Sequence, residues 1–113
     1  MEPLTLVFQS LAEEPRLRIR ALLLEEPELW VCDLMAALQM PQSTVSRHLA
    51  HLKNAGWLHD RREAVWSYYA LAQPLGPLQQ SLLPLLRHFL SEQPTAAADR
   101  LRLGGFRSTK SCG

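Results

Sequence analysis

The fold is determined by residues 41–54, PQSTVSRHLAHLKN. Val45, Leu49 and Leu52 recur at spacings of four and three residues, which is the periodicity of one apolar face on an α-helix. The other faces contain no acidic residue and carry amide, hydroxyl, guanidinium and imidazole groups instead. Such groups reach base edges and phosphates. The pattern therefore predicts a recognition helix, which packs on the protein core with one face and lies in a DNA groove with the other.

The side chains expected to contact double-stranded DNA belong to this helix and to a basic pair in the segment after it. They are Gln42, Ser43, Thr44, Ser46, Arg47, His48 and His51 on the helix, with Arg61 and Arg62 beyond it. The helix residues would contact bases and phosphates, and the two arginines would hold phosphate. A surface for a protein partner would expose Leu, Tyr or Trp instead. A pure protein-interaction module is therefore the less favoured interpretation, although fold alone does not exclude it.

Five helices and one β-hairpin are predicted outward from this segment. The helices cover about residues 5–12, 15–26, 31–38, 41–55 and 75–91, and the two strands cover 57–62 and 65–71. Pro15 suits the first position of the second helix, and Gly56 supplies the left-handed conformation that ends the fourth. The third and fourth helices with the turn between them make a helix-turn-helix, which the hairpin turns into a winged one. The fold class is thus mainly α with a small β-hairpin.

Residues 1–92 are expected to form one DNA-binding and dimerisation domain. The first and last helices of this domain carry more apolar surface than one small domain can bury. These apolar residues are Leu4, Leu6, Val7 and Leu11 on the first, and Leu78, Leu82, Leu86, Phe89 and Leu90 on the last. Pairing the two helices across a two-fold axis would make a homodimer. Its recognition helices would lie about one DNA turn apart, or a multiple of it, on a palindromic operator.

Residues 93–113 are expected to form a basic, flexible tail that starts where Pro94 ends the fold. This segment holds four basic residues and one acidic residue, whereas the whole chain has a net charge of only +1. Charge that is concentrated in this way can direct one face of a near-neutral protein toward phosphate.

Composition limits the classes of protein to be considered. The chain has 113 residues, of which 47% are apolar and 20% charged, as in globular domains. No apolar run approaches the roughly 20 residues of a membrane span, and the first residues lack the basic region of a signal peptide. We therefore expect a cytoplasmic protein with no membrane partner, whose two cysteines are reduced thiols. A glycine-rich phosphate loop, a nucleophile elbow and a HExxH motif are all missing, so an enzyme is not predicted.

The chain resembles the ArsR/SmtB family of bacterial metal-responsive repressors over about residues 3–92. The resemblance is carried by Glu28–Leu34 (ELWVCDL), Ser46-Arg47-His48-Leu49, Leu52, Ala55-Gly56, Arg61-Arg62-Glu63, Trp66, Tyr69 and Leu71. The winged helix-turn-helix is common, whereas the ELxVCDL string is narrower and is similar to the arsenic-sensing branch. The resemblance implies a homodimeric transcriptional repressor that leaves its operator when a trivalent arsenical binds to cysteine thiolates. No obligatory cofactor is implied.

The candidate metalloid ligands are Cys32 and Cys112. The arsenic-sensing branch has a cysteine pair in this string, and here Trp30 replaces the first member. Trivalent arsenic is soft and three-coordinate, so one thiolate is not enough. The twenty residues after Glu92 would span at most about 66 Å extended and about 25 Å on average if flexible, which brings Cys112 within reach. Two thiolates suit a methylated arsenical, or inorganic arsenic completed by water or a small thiol.

Two other uses of the cysteines remain open at the level of sequence. They could form a redox or persulfide switch, or they could be vestigial in a constitutive winged-helix repressor. A zinc site on the last helix is not predicted, because His88 and Glu92 lack the further ligands that zinc needs.

Overall fold

The computed structural model describes residues 1–109, and within this range the chain forms six α-helices and a three-stranded antiparallel sheet. The helices are α1 (Glu2–Ser10), α2 (Glu14–Glu25), α3 (Val31–Leu38), α4 (Gln42–Asn54), α5 (Pro77–Ser91) and α6 (Pro94–Thr109). The strands are β1 (Leu29–Trp30), β2 (Leu58–Glu63) and β3 (Trp66–Leu71), in the order β1-β3-β2. None of the described helices is long and apolar enough to cross a membrane.

The helix-turn-helix consists of α3, a short turn and the recognition helix α4. At the start of α3, Asp33 Oδ2 accepts a hydrogen bond from the backbone N–H of Trp30 at 2.8 Å, which satisfies a donor that the helix leaves open. Gln39 ends α3 in the left-handed conformation, with φ of 56°. Gly56, the residue predicted to end α4, has φ of 83°, where a residue without Cβ is not strained. Residues at the helix ends therefore determine where α3 and α4 stop.

The wing is the hairpin of β2 and β3. The two strands pair from Leu58 opposite Leu71 at the base to Glu63 opposite Trp66 at the tip. The turn holds Ala64 in the left-handed region, with φ of 55°. Strand β1, which was not predicted, adds a third strand to β3 and joins the wing to the start of α3.

The core lies between α2, α3, α4 and the base of the wing. Its fully buried members come from each of these elements: Ile19, Leu22, Leu34, Val45, Leu49, Leu52, Trp57 and Leu58. The three apolar residues that predicted one face of α4 are all among them. That face therefore packs inward as expected, and the opposite face of α4 points away from the core.

The structure differs from the predicted flexible tail over residues 94–109, which form α6 and pack on α2 and α3. Asp99 is completely buried and accepts hydrogen bonds from Arg18 at 2.8 and 2.9 Å and from Arg102 at 2.6 Å. Arg102 also donates to the carbonyl of Ala37 in α3 at 2.7 Å. Pro94 is the first residue of α6 rather than the end of the fold, a position that proline favours. Residues 110–113, and with them Cys112, lie outside the described range.

Some of the apolar residues predicted for a dimer interface are buried within the chain, and others are exposed. Val7 and Leu90 are buried within the chain, at 5% and 8% exposure. Leu4 and Phe89 are 43% and 58% exposed, and Leu85 next to the latter is exposed as well. An apolar surface thus remains on α1 and α5, and the homodimer remains a prediction.

Arg20 is an unusual member of the core because it is fully buried. Its guanidinium carbon lies 4.7 Å from the centroid of the Trp57 ring. None of its side-chain nitrogens has a hydrogen-bond acceptor among the described residues. Burial, and secondarily the charge of Arg87, lowers the pKa of Arg20 to about 10. The stacking on Trp57 is therefore its main compensation for desolvation.

Candidate nucleic-acid interface and adjacent cysteine cavity

The outer face of α4 carries most of the side chains that were predicted to contact DNA. Gln42, Ser43, Ser46, Arg47 and His51 are exposed. Thr44 is only half-buried. The amide, hydroxyl and guanidinium groups of this face are available to solvent along almost the whole helix, as a groove-binding surface requires.

His48 is an exception, and its predicted contact with DNA needs correction. Its side chain is directed inward and the residue is 2% exposed. The ring atom Nδ1 lies 3.2 Å from Nη1 of Arg16 in α2. His48 follows Val45 by three residues and precedes Leu49 and Leu52 on the same helical face. This spacing could have predicted an inward position for His48. The prediction of a DNA contact relied instead on the ability of imidazole to bind phosphate.

The two wing arginines differ in their surroundings. Arg61 donates to Glu28 at 2.7 and 2.8 Å and to Glu63 at 3.0 Å, and its guanidinium lies 4.4 Å from the Tyr68 ring centroid. The hydrogen bond to Glu28 is the main cause that raises the pKa of Arg61, and the same contact lowers the pKa of Glu28. Arg62, one residue later, is exposed and makes no ion pair with any residue from 1 to 109. Arg61 thus ties the wing to the chain before α3, while the charge of Arg62 stays uncompensated.

A further ion pair fixes the wing to the end of the recognition helix. Lys53 Nζ lies 2.8 Å from Asp60 Oδ1. This contact raises the pKa of Lys53 and lowers that of Asp60. Both side chains are partly exposed, so solvent screens their charges and the ion pair contributes little to stability. Its effect is geometric, since it links α4 to β2 beside the predicted DNA surface.

Cys32 lies in the first turn of α3, is 6% exposed, and lines a cavity of about 400 Å³ between α3, α4 and the wing. The other lining residues are Val31, Met35, Gln42, Ser46, Arg62, Val65, Trp66, Ser67 and Tyr69. The cavity therefore brings together the predicted sensor cysteine and three of the predicted DNA-contacting side chains. Sequence reasoning had assigned these residues to two separate sites.

Trp30, at the position where the resemblance implies the first cysteine of a pair, contributes to the packing of the wing. Its ring meets that of Trp66 edge-on, with centroids 4.6 Å apart, a preferred geometry for aromatic pairs. Within residues 1–109, no three His, Cys, Asp or Glu side chains are grouped so as to hold a metal ion. Of the predicted ligand pair, Cys32 is in the described range and Cys112 is not.

Two comparisons with known proteins bear on this site. Residues 13–59 match the family described as bacterial regulatory protein, arsR family. The structure of reduced HlyU from Vibrio cholerae N16961 superposes with a TM-score of 0.65 at 33% identity, over 81% of this chain and 92% of that one. The chain belongs to the ArsR family. The predicted family and the winged helix-turn-helix fold are thereby confirmed.

Arsenic-resistance regulators from two bacteria are similar to this chain over 66 residues. The arsenic resistance transcriptional regulator ArsR1 of Pseudomonas putida is 48% identical over 66 residues, which are 58% of this chain and 52% of that protein. The arsenical resistance operon repressor of Escherichia coli is 48% identical over 66 residues, 58% of this chain and 56% of that protein. The chain spans about half the length of these relatives. They are transcriptional regulators, in agreement with the non-enzymatic interpretation.

Proposed function

We propose that this ArsR-family protein is a homodimeric, sequence-specific DNA-binding repressor whose affinity for its operator is lowered by a trivalent arsenical. The observation that carries the proposal is the cavity between α3, α4 and the wing. Gln42 and Ser46 of the recognition helix and Arg62 of the wing line this cavity together with Cys32. Two elements proposed to contact DNA and a cysteine side chain therefore converge on one cavity.

DNA binding rests on the exposed faces of α4 and the wing. Hydroxyl, amide and guanidinium groups on α4 suit base edges and phosphates, and the uncompensated Arg62 suits a phosphate. A homodimer would bury exposed apolar side chains of α1 and α5, such as Leu4 and Phe89, and would present two recognition helices to a palindrome.

The test of this part is binding of the purified full chain to a palindromic fragment from upstream of its own coding region. Fluorescence anisotropy with a scrambled duplex as control would measure specificity, and sedimentation equilibrium would measure the oligomeric state. We expect a dimer with an affinity at least about 10³-fold higher for the operator than for the scrambled duplex. A monomer that binds both duplexes equally would contradict the proposal.

Induction would act through the same cavity. An arsenical bonded to Cys32 would occupy space beside Gln42, Ser46 and Arg62. The arsenical and the DNA would therefore compete for the same side chains. A ligand lowers DNA affinity only to the extent that it binds the DNA-free form better. Full release of a promoter requires coupling of about 1–3 kcal/mol. The arsenic-resistance relatives at 48% identity support an arsenical as the inducer.

Cys112 is the proposed second thiolate. In α6, Arg107 forms ion pairs with Glu26 and, at 3.8 Å, with Asp33, the neighbour of Cys32. Cys112 follows Arg107 by five residues, a length of at most about 17 Å when extended. A second cysteine tethered to α6 by this short length of chain would have a high effective concentration near the first, which would favour a chelate over a single bond.

The inducer test is a titration of the preformed DNA complex under reducing conditions with arsenite and methylarsenite, and with zinc as a control ion. Cys32→Ser and Cys112→Ser are compared with the parent, and Ser111→Ala serves as a matched control near Cys112. We expect release by an arsenical in the parent and in Ser111→Ala, and loss of release in both cysteine variants. An unchanged response in Cys112→Ser alone would remove Cys112 from the site. An unchanged response in both cysteine variants would contradict arsenic sensing through these thiols.

The same titration distinguishes the alternative interpretations. Release by peroxide or a persulfide donor in place of the reductant, without release by any arsenical, would identify a redox or persulfide switch. A complex that withstands every reagent would identify a constitutive repressor.

A further inference from the structure

A buried polar junction connects the end of α1, the start of α2 and the recognition helix. Arg16 is 5% exposed and donates from Nε to the Ser10 carbonyl at 2.9 Å and from Nη2 to the Gln9 carbonyl at 2.8 Å. Its Nη1 points to Nδ1 of His48 at 3.2 Å and to Glu13 Oε2 at 2.7 Å. One guanidinium therefore caps the last carbonyls of α1 and binds the inner face of α4.

The geometry fixes the state of the imidazole. Guanidinium groups only donate hydrogen bonds, so Nδ1 of His48 must be the unprotonated acceptor. The ring is then neutral, with its proton on Nε2. Protonation of Nδ1 would replace this hydrogen bond by two donors and two positive charges about 3 Å apart.

Taken together, the groups around His48 oppose its protonation. Burial is the largest cause that lowers the pKa of His48, followed by the charge of Arg16. Arg47 and His51, on its own helix, act in the same direction, and Glu13 of the segment before α2 acts against them. The neutral ring is therefore the state in which α4 is anchored.

We propose that His48 is a positioning residue for DNA binding: its neutral Nδ1 holds the recognition helix against Arg16 and the end of α1, and protonation releases that hold and weakens operator binding. The inference rests on the proposed DNA binding and adds a regulation of it by acid. His48 itself does not touch DNA. It acts through the orientation of the exposed residues on the opposite face of α4.

The expected pH dependence has a sign that distinguishes this role from general electrostatics. General electrostatics predicts stronger DNA binding in acid, because a more positive protein attracts phosphate more strongly. Release of His48 from Arg16 does the opposite. Because the pKa of His48 is lowered by folding, its neutral form stabilises the anchored state fully above about pH 6.5, and this stabilisation is lost as the pH falls through the folded-state pKa.

The experiment compares operator affinity at about pH 7.5 and about pH 5.5 for the parent and His48→Asn, whose Oδ1 can replace Nδ1 as an acceptor and does not titrate. We expect affinity of the parent to fall about three- to tenfold more than that of the variant between these pH values. His88→Gln, an exposed histidine on α5, is the control and should keep the parental fall. Equal pH profiles of parent and His48→Asn would overturn the proposal. No operator binding at about pH 7.5 would instead contradict the proposed function.

A second measurement applies to the parent alone and covers the case that His48→Asn does not fold. Nitrogen chemical shifts of the histidine rings report which nitrogen carries the proton. We expect His48 as the neutral Nε2–H form at about pH 7, with protonation accompanied by faster amide exchange in α4. A His48 ring that is already charged at that pH, or one that titrates without any change in α4, would overturn the proposal.

Discussion

The recognition helix α4 and the last helix α6 both pack against α3, but different forces hold them there. On α4 the inner face consists of Val45, Leu49 and Leu52, each fully buried, and the link to α3 is a three-residue turn. On α6 the central buried residue is Asp99, held between Arg18 and Arg102. An apolar face and a short turn define α4 locally, whereas α6 combines two buried apolar residues, Ala96 and Leu103, with charged partners elsewhere in the chain.

The largest expected effect is a loss of stability when the buried Asp99 of α6 is replaced. Asp99→Ala would leave Arg18, whose side chain is 15% exposed, without its carboxylate. Breaking a buried ion pair from one side costs about 3–5 kcal/mol in the free energy of unfolding. Chemical denaturation followed by circular dichroism would measure this loss. Arg100→Ala removes a more exposed pair with Glu25 on the same helix and should cost less than about 1 kcal/mol. Equal small effects of both would mean that apolar contacts alone hold α6.

The outer face of α4 should give the opposite result, with lost affinity and retained stability. Arg47→Ala removes an exposed guanidinium and should weaken operator binding by about 1–3 kcal/mol. The unfolding free energy should stay within about 0.5 kcal/mol of the parent. Anisotropy titration and denaturation of the same preparation measure the two quantities. Arg87→Ala, an exposed arginine on α5, is the matched control and should leave operator affinity unchanged.

A smaller effect is expected on the salt dependence of DNA binding, and it should differ between the two wing arginines. Arg62→Ala removes an uncompensated charge, and the slope of log affinity against log salt should fall in magnitude by about 1. Arg61→Ala should change the slope less, because Glu28 and Glu63 already neutralise that guanidinium. Affinities at four or more salt concentrations measure both slopes. Identical slopes for the two variants would mean that DNA displaces the carboxylates from Arg61.

The smallest effect is expected for the buried Arg20. Arg20→Met removes a desolvated charge without an acceptor among the described residues and keeps much of the side chain's apolar volume. The loss of the contact with Trp57 is offset by the relief of desolvation. The unfolding free energy should be unchanged or higher by about 1 kcal/mol. A strongly destabilised variant would indicate a partner for Arg20 that the buried contacts do not include.

Sequence alone was sufficient for the elements whose signals are local. The bounds of α3 were predicted to the residue, and Gly56 was identified as the end of α4, because caps and periodicity lie within the helices themselves. Strand β2 was predicted one residue too early at both ends, and β3 was predicted to start one residue too early but to end at the correct residue. Strand β1 was missed since it has only two residues and exists only through its pairing with β3.

The missed features depend on contacts between distant parts of the chain. Helix α6 contains Gly104 and Gly105, which disfavour a helix, and its buried Asp99 meets Arg18 across 81 positions. No local pattern reports such a contact. The exposure of most of the outer face of α4 is as expected from its sequence. The inward position of His48 and the cavity that joins Cys32 to Gln42, Ser46 and Arg62 depend on how α2, α3, α4 and the wing pack together.

The location of that cavity has a consequence for the timing of a response. Its rim includes side chains from α4 and the wing, which on the proposed mode of binding lie against the operator. A duplex seated there would cover these side chains, so an inducer would enter only after the protein has left the DNA and would then prevent its return. The delay between the arrival of the inducer and transcription would be set by the residence time on the operator, and raising the inducer concentration would not shorten it below that limit.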